Sequence, residues 1–151
     1  MSEPQIRVLI VEARFYSDLA DELLRGAVDA LDSFGAAHDV VTVPGALEIP
    51  GAIAIAESGA HRPTGGVHYD GYVALGTVIR GETYHFEIVS NESAAGISQV
   101  QLDAGLPVAN GILTADTDQQ ANARAAQKGR DCAEVAVEMA KLLRAVDLLG
   151  K

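Results

Sequence analysis

Arg80, Gly81, Thr83 and His85 lie between an apolar, β-branched run, Gly71 to Ile79, and a stretch with apolar residues near helical spacing at Phe86, Val89, Ile97 and Val100. A strand that passes through a glycine into a helix leaves free N–H groups and the positive end of the helix dipole at the carboxyl edge of a sheet, which is an anion site. Thr83 stands where an N-cap is expected, and His85 falls in the first turn. Histidine can take and give a proton near neutral pH, so proton transfer sits beside anion binding. That pairing indicates an enzyme. The helix N-terminus favours the neutral ring and a bound phosphate dianion favours the charged one; the sequence does not decide between them. His38, His61 and His68 are in strand-edge or loop settings without metal-ligand spacing, so they read as surface histidines and no metal is expected.

Alternating elements supply the framework for these residues. Ile6 to Val11 reads as a buried strand, and Ser17 to Phe34 as a helix with Leu19, Leu23, Ala27, Leu31 and Phe34 on one face. Asp39 to Val43 is a second strand, Ile49 to Ser58 a helix, and His61 to His68 a polar loop. The third strand is Gly71 to Ile79, its helix runs to about Ala104, and Pro107 to Leu113 is a fourth strand. Thr117-x-x-Gln120 is a capping-box pattern that opens a short helix. A last helix is expected from about Asp131 to Leu149, with Val135, Met139, Leu142 and Val146 facing inward. Alternation with apolar strands means an α/β domain whose parallel sheet is covered on both faces. With no repeat or linker visible, residues 1–151 read as one domain.

Ligands of such sheets bind at the carboxyl ends of the strands. The relevant loops are then Glu12 to Ser17, Pro44 to Pro50, Arg80 to His85 and Thr114 to Thr117. The first carries the aromatic pair Phe15-Tyr16. The second brackets Glu48 between two prolines, which stiffen it and fix where the carboxylate points.

A chain of 151 residues with 48% hydrophobic content can bury one good core. Its formal charge of −10 and pI near 4.6 count against nucleic-acid binding, but an anionic small molecule needs only one or two well-placed cations. Cys132 is the single cysteine, which excludes an internal disulfide framework and suits a reducing cytoplasm. No segment has signal-peptide form or spans a bilayer, so a cytoplasmic location is expected.

The segments ARFYSDLADELLRGA, VPGALEIPGAI, DGYVALGTVIRGETYHFEIVSNESAAGI and LPVANGILTADTDQQANARA resemble the lumazine synthases of riboflavin biosynthesis, from Ile6 to about Leu143. GTVIRGxTxH together with PGAxEIP is far more specific than either alone. The resemblance implies a flavodoxin-like three-layer α/β/α sandwich with a four-stranded, mainly parallel sheet. It implies pentamers, in some members gathered into an icosahedral shell, and riboflavin synthase as a partner. It also implies condensation of 5-amino-6-(D-ribitylamino)uracil with 3,4-dihydroxy-2-butanone 4-phosphate, without metal or organic cofactor.

Site roles follow from the same resemblance. Phe15 would stack on the pyrimidine, although a core residue at a strand end is the alternative reading. Ala46 and Leu47 would wall the substrate, Glu48 would accept from the ribityl hydroxyls, and Val78 and Ile79 would offer backbone groups. Gly81, Glu82, Thr83 and Arg124 would hold phosphate, arginine being suited by its planar fork; without the resemblance Arg124 is a routine dipole-compensating charge. His85 would move protons. Asn110 and Arg124 would reach the site of a neighbouring chain, and Lys128 matches the family's substrate-binding lysine.

Two departures stand out. Leu47 replaces an aromatic residue common in the family. Arg124 to Gly129 is shorter than the glycine- and lysine-rich connection between the last two helices of many relatives. That shortening leaves the role of Lys128 open and favours a free pentamer or decamer over a shell. Three other readings remain: a paralogue that binds flavin or lumazine without turnover, a generic phosphate or nucleotide binder, and a Schiff-base enzyme using Lys128. The nucleotide binder lacks a GxGxxG or P-loop pattern.

Overall fold

The computed structural model describes residues 4–150. Strands β1 (Arg7–Ala13), β2 (Ala37–Val43), β3 (Gly71–Ile79) and β4 (Val108–Ala115) form one sheet in the order β2-β1-β3-β4, with every pair parallel. Helices α1 (Ser17–Ser33) and α4 (Asp118–Leu149) cover one face, and α2 (Ile49–Ala60) and α3 (His85–Ala104) cover the other. A 3-10 turn, Ala46–Glu48, precedes α2. The expected three-layer α/β/α sandwich is present, with a sheet that is wholly parallel. Because both faces are covered, the central strands are apolar on both sides. Val73 and Leu75 face the α1/α4 core while Tyr72 and Ala74 face the α2/α3 core, and all four are buried.

The carboxyl-terminal third departs from the expected outline. The two last helices are one continuous helix of 32 residues. Thr117 does cap it, its hydroxyl accepting from the Gln120 N–H at 3.1 Å, while the Gln120 side chain reaches back to the Asp116 N–H at 2.8 Å. There is no turn at Ala125 to Lys128; one helix runs straight through these residues. Gly129 does not stop it because the glycine is used for contact. A Cβ on Gly129 would run into the carbonyl oxygen of Leu23, and one on Gly26 would run into that of Ala126. The two helices thus cross backbone against backbone, and the buried face of α4 is made mostly of small side chains, Ala121, Ala125, Cys132, Ala133, Ala136 and Ala140, with Val137 as the one larger residue among them.

This seam reverses the expected orientation of the last helix. Val135, Met139, Leu142 and Val146 point outward, 43–52% exposed, because they are too large for a glycine–alanine contact. Phe34 is likewise half exposed as the C-cap of α1 rather than a member of its buried face. Thr83 is not the N-cap of α3 either. Tyr84 holds that position without a side-chain cap, and the Thr83 hydroxyl accepts a long 3.4 Å bond from the His85 N–H. No helix among the described residues is long and apolar enough to cross a membrane.

Two outcomes follow from the seam. Gly129→Ala should cost about 1–3 kcal/mol by overpacking, even though alanine is the better helix former. The readout is a lower urea midpoint at unchanged slope, and an equal or higher midpoint would refute the close contact. Cys132 donates to the Ala109 carbonyl at 3.2 Å, and burial pushes its thiol up to about 12. A thiol reagent at mildly alkaline pH should therefore leave the native protein unlabelled and modify it fully in urea.

Candidate active site

A cleft of about 350 Å³ opens at the carboxyl edge of the sheet, walled by the segments that follow β1, β2 and β3. The β-strand register explains the convergence. Glu12 of β1 stands level with Thr42 of β2 and Leu75 of β3; β1 and β2 end one residue later, while β3 runs on to Ile79, so its loop starts farther out at the same edge. The segment after β4 does not line this cleft.

Phe15 comes from the loop after β1. It is 77% exposed at the cleft wall, edge-on to Tyr16 with ring centroids 5.0 Å apart. The core alternative for this residue is therefore wrong. Its loop is strapped by Arg14, which donates to the buried Glu12 carboxylate at 2.7 Å and pairs with Asp21 on α1. The other Glu12 oxygen accepts from the Thr42 hydroxyl at 2.7 Å. A buried carboxylate would be costly alone; with these partners it ties β1, β2 and the Phe15 loop into one unit.

The 3-10 turn supplies Ala46, Leu47 and Glu48 to the second wall. Ala46 is buried, whereas Leu47 and Glu48 are exposed. Pro50 lies in the first turn of α2, where its missing N–H costs nothing. The end of β3 contributes Thr77, Val78 and Ile79, followed by Gly81, Thr83 and His85.

Sequence reasoning missed Thr77. Its hydroxyl is buried and has no hydrogen-bond partner, which makes it available to a molecule in the cleft. Inside an apolar strand it carries no local signal of that kind. Tyr16, Phe86 and Val89 also line the cleft and were read only as neighbours or helix-face residues.

Arg80 and the charges around it set the electrostatics of the third wall. The guanidinium donates to Asp116 at 2.7 Å and to Glu87 at 2.6 Å, and lies over the Phe86 ring at 4.4 Å from its centroid. The hydrogen bond from Arg80 holds the Glu87 carboxyl below its usual range. Among the residues lining the cleft there is no lysine or arginine.

The remaining candidates lie off this wall. Glu82 is exposed outside it. Asn110 is exposed on β4, its side-chain oxygen accepting from the Ile112 N–H at 2.9 Å. Arg124 and Lys128 lie on α4, where Arg124 donates to the Gln120 carbonyl at 3.0 Å. One chain thus joins a flat aromatic surface, a carboxylate, a buried unpartnered hydroxyl and a histidine at a helix start. It does not bring a cation to them. No group of three or more histidine, cysteine, aspartate or glutamate residues among the described residues is placed to hold a metal ion.

Residues 5–144 match the 6,7-dimethyl-8-ribityllumazine synthase family. The chain is 55% identical to a 6,7-dimethyl-8-ribityllumazine synthase of Cupriavidus pinatubonensis over 148 residues, 95% of this chain and 84% of that protein. It is 55% identical to 6,7-dimethyl-8-ribityllumazine synthase 1 of Rhizobium meliloti, covering 91% of each. Against the Agrobacterium fabrum 6,7-dimethyl-8-ribityllumazine synthase it is 57% identical, over 87% of this chain and 86% of that one.

Proposed function

Since the chain belongs to the 6,7-dimethyl-8-ribityllumazine synthase family, we propose that the cleft after β1, β2 and β3 is one half of its active site and that a neighbouring copy completes it. The enzyme is a transferase that condenses 5-amino-6-(D-ribitylamino)uracil with 3,4-dihydroxy-2-butanone 4-phosphate, releasing 6,7-dimethyl-8-ribityllumazine, phosphate and water. The observation that carries the two-chain site is the charge of the cleft. A phosphorylated substrate must be held by a wall that has free N–H groups and a histidine but no lysine or arginine of its own.

The pyrimidine stacks on Phe15, with Ala46 and Leu47 beside it and the backbone of Val78 and Ile79 along its edge. Glu48 accepts from the ribityl hydroxyls. Gly81, Glu82 and Thr83 present N–H groups and a hydroxyl to phosphate, and the Glu82 side chain takes no part. Asn110, Arg124 and Lys128 come from the adjacent chain, Arg124 with the bidentate grip that phosphate favours. The amine of the uracil attacks the ketone with loss of water, phosphate is eliminated to leave a second carbonyl, and the ribityl-bearing nitrogen closes the ring on that carbonyl with loss of a second water. His85 carries protons between nitrogen, oxygen and carbon in these steps. Holding both reactants together supplies much of the rate, and neither metal nor organic cofactor is required.

The working unit is a pentamer or a multiple of pentamers, and the outward apolar row of Val135, Met139, Leu142 and Val146 on α4 supports burial against other chains. The single-domain reading, a cytoplasmic location and riboflavin synthase as a partner belong to the same proposal.

Purified protein given both substrates should develop lumazine fluorescence in the presence of a chelator. Activity that disappears with chelator and returns with a divalent ion would exclude the metal-free mechanism.

Arg124→Ala should raise KM for the butanone phosphate roughly ten- to a hundredfold, the loss of a charge-assisted contact of about 1.5–3 kcal/mol. Mixing His85→Ala with Arg124→Ala subunits should restore activity above that of either variant, because some interfaces then pair two intact halves. A fully active monomer in sedimentation, or no gain on mixing, would contradict the shared site.

A further inference from the structure

Arg80 stands immediately before the anion-binding loop, yet its guanidinium faces two carboxylates and an aromatic ring. Its Nε donates to Asp116 at 2.7 Å, its Nη1 to Glu87 at 2.6 Å, and its plane covers Phe86 at 4.4 Å. Its backbone N–H also donates to the Ala115 carbonyl at 2.9 Å, at the end of β4. A side chain so engaged has its donors turned to protein rather than to phosphate.

These partners belong to two elements that the site needs. Phe86 and Glu87 are in the first turn of α3, next to His85. Asp116 lies just before α4, the helix that carries Arg124 farther along. The start of α3 has no cap of its own, because Tyr84 adopts helical angles and makes no side-chain cap bond. Each exposed ion pair alone would be weak. A planar fork held by two carboxylates and stacked on a ring fixes direction as well as distance.

We infer that Arg80 is a positioning residue that locks the His85 turn of α3 to the start of α4. It keeps the free N–H groups of the phosphate loop in place, and it neutralises Glu87 and Asp116, which would otherwise repel the incoming dianion. The same clamp orients the helix whose Arg124 serves the neighbouring site. This rests on the site proposed above, which the turnover assay of the unaltered enzyme tests separately.

The test compares Arg80→Met, Arg80→Lys, Asp116→Asn and the double variant Arg80→Met/Asp116→Asn, measuring kcat, both KM values and the urea midpoint. Arg80→Met should raise KM for the butanone phosphate roughly tenfold or more while KM for the uracil changes less than about twofold. Arg80→Lys, which keeps the charge but loses the fork, should fall between it and the unaltered enzyme. Asp116→Asn should also raise KM for the butanone phosphate, and the double variant should be no worse than Arg80→Met alone, since both remove one clamp. If Asp116→Asn instead lowers that KM, Arg80 is a direct phosphate ligand and the positioning role is wrong. Equal rises in both KM values that track a lower urea midpoint would reduce Arg80 to general support and also overturn it.

Discussion

All four strands run in the same direction, and most of the molecule follows from that. A parallel strand cannot be reached by a tight turn, so each step along the sheet requires a helical crossover. The crossovers cover both faces and oblige the strands between them to be apolar on both sides. Parallel alignment also brings every strand to its carboxyl end at the same edge. Phe15, Glu48 and His85 are far apart in the chain and meet because β1, β2 and β3 all end at the same edge of the sheet.

The cleft at that edge is poor in positive charge, although two arginines stand next to it. Arg14 is held by Glu12 and Asp21, and Arg80 by Glu87 and Asp116. In each case the arginine secures a loop instead of meeting a ligand. The acidic balance of the chain is consistent with this use of its few cations. What is left for an anion is backbone N–H, a hydroxyl and a histidine, a set that gives direction but little charge.

The fold and several of the residues that line the cleft were legible because they rest on local patterns. The continuous apolar, β-branched run gave β3 to the residue, and the glycine after it marked the loop that lines the cleft. Phe15 and Glu48 followed from the loops that a parallel sheet must place at its edge. Three features were not legible, each for a physical reason. The direction of Val135 and Met139 depends on which face of α4 can approach α1, and that is decided by Gly26 and Gly129 in a contact between distant segments. A large apolar residue is the usual sign of a buried face, and here the buried face is mostly alanine. Thr77 looked like any β-branched strand residue, because nothing in its neighbours reveals an unpartnered hydroxyl. Arg80 read as part of an anion loop because its partners Glu87 and Asp116 become visible only when α3 and β4 are folded beside it.

The seam between α1 and α4 also shapes how this protein tolerates sequence drift. An ordinary core fails when side chains are cut back and voids open. At Gly26 and Gly129 there is no side chain left to remove, and at Ala125, Ala133 and Ala136 only a methyl group. Nearly every substitution available at these positions adds atoms where two backbones already touch. Mutational risk along this contact is therefore one-sided, with almost no intermediate variants that merely weaken it. The outward side of the same helix has the opposite freedom, since its large residues can shrink or exchange without disturbing the chain's own core. One helix thus carries a face that resists change and a face that can diverge, which lets its outward surface evolve while the fold stays fixed.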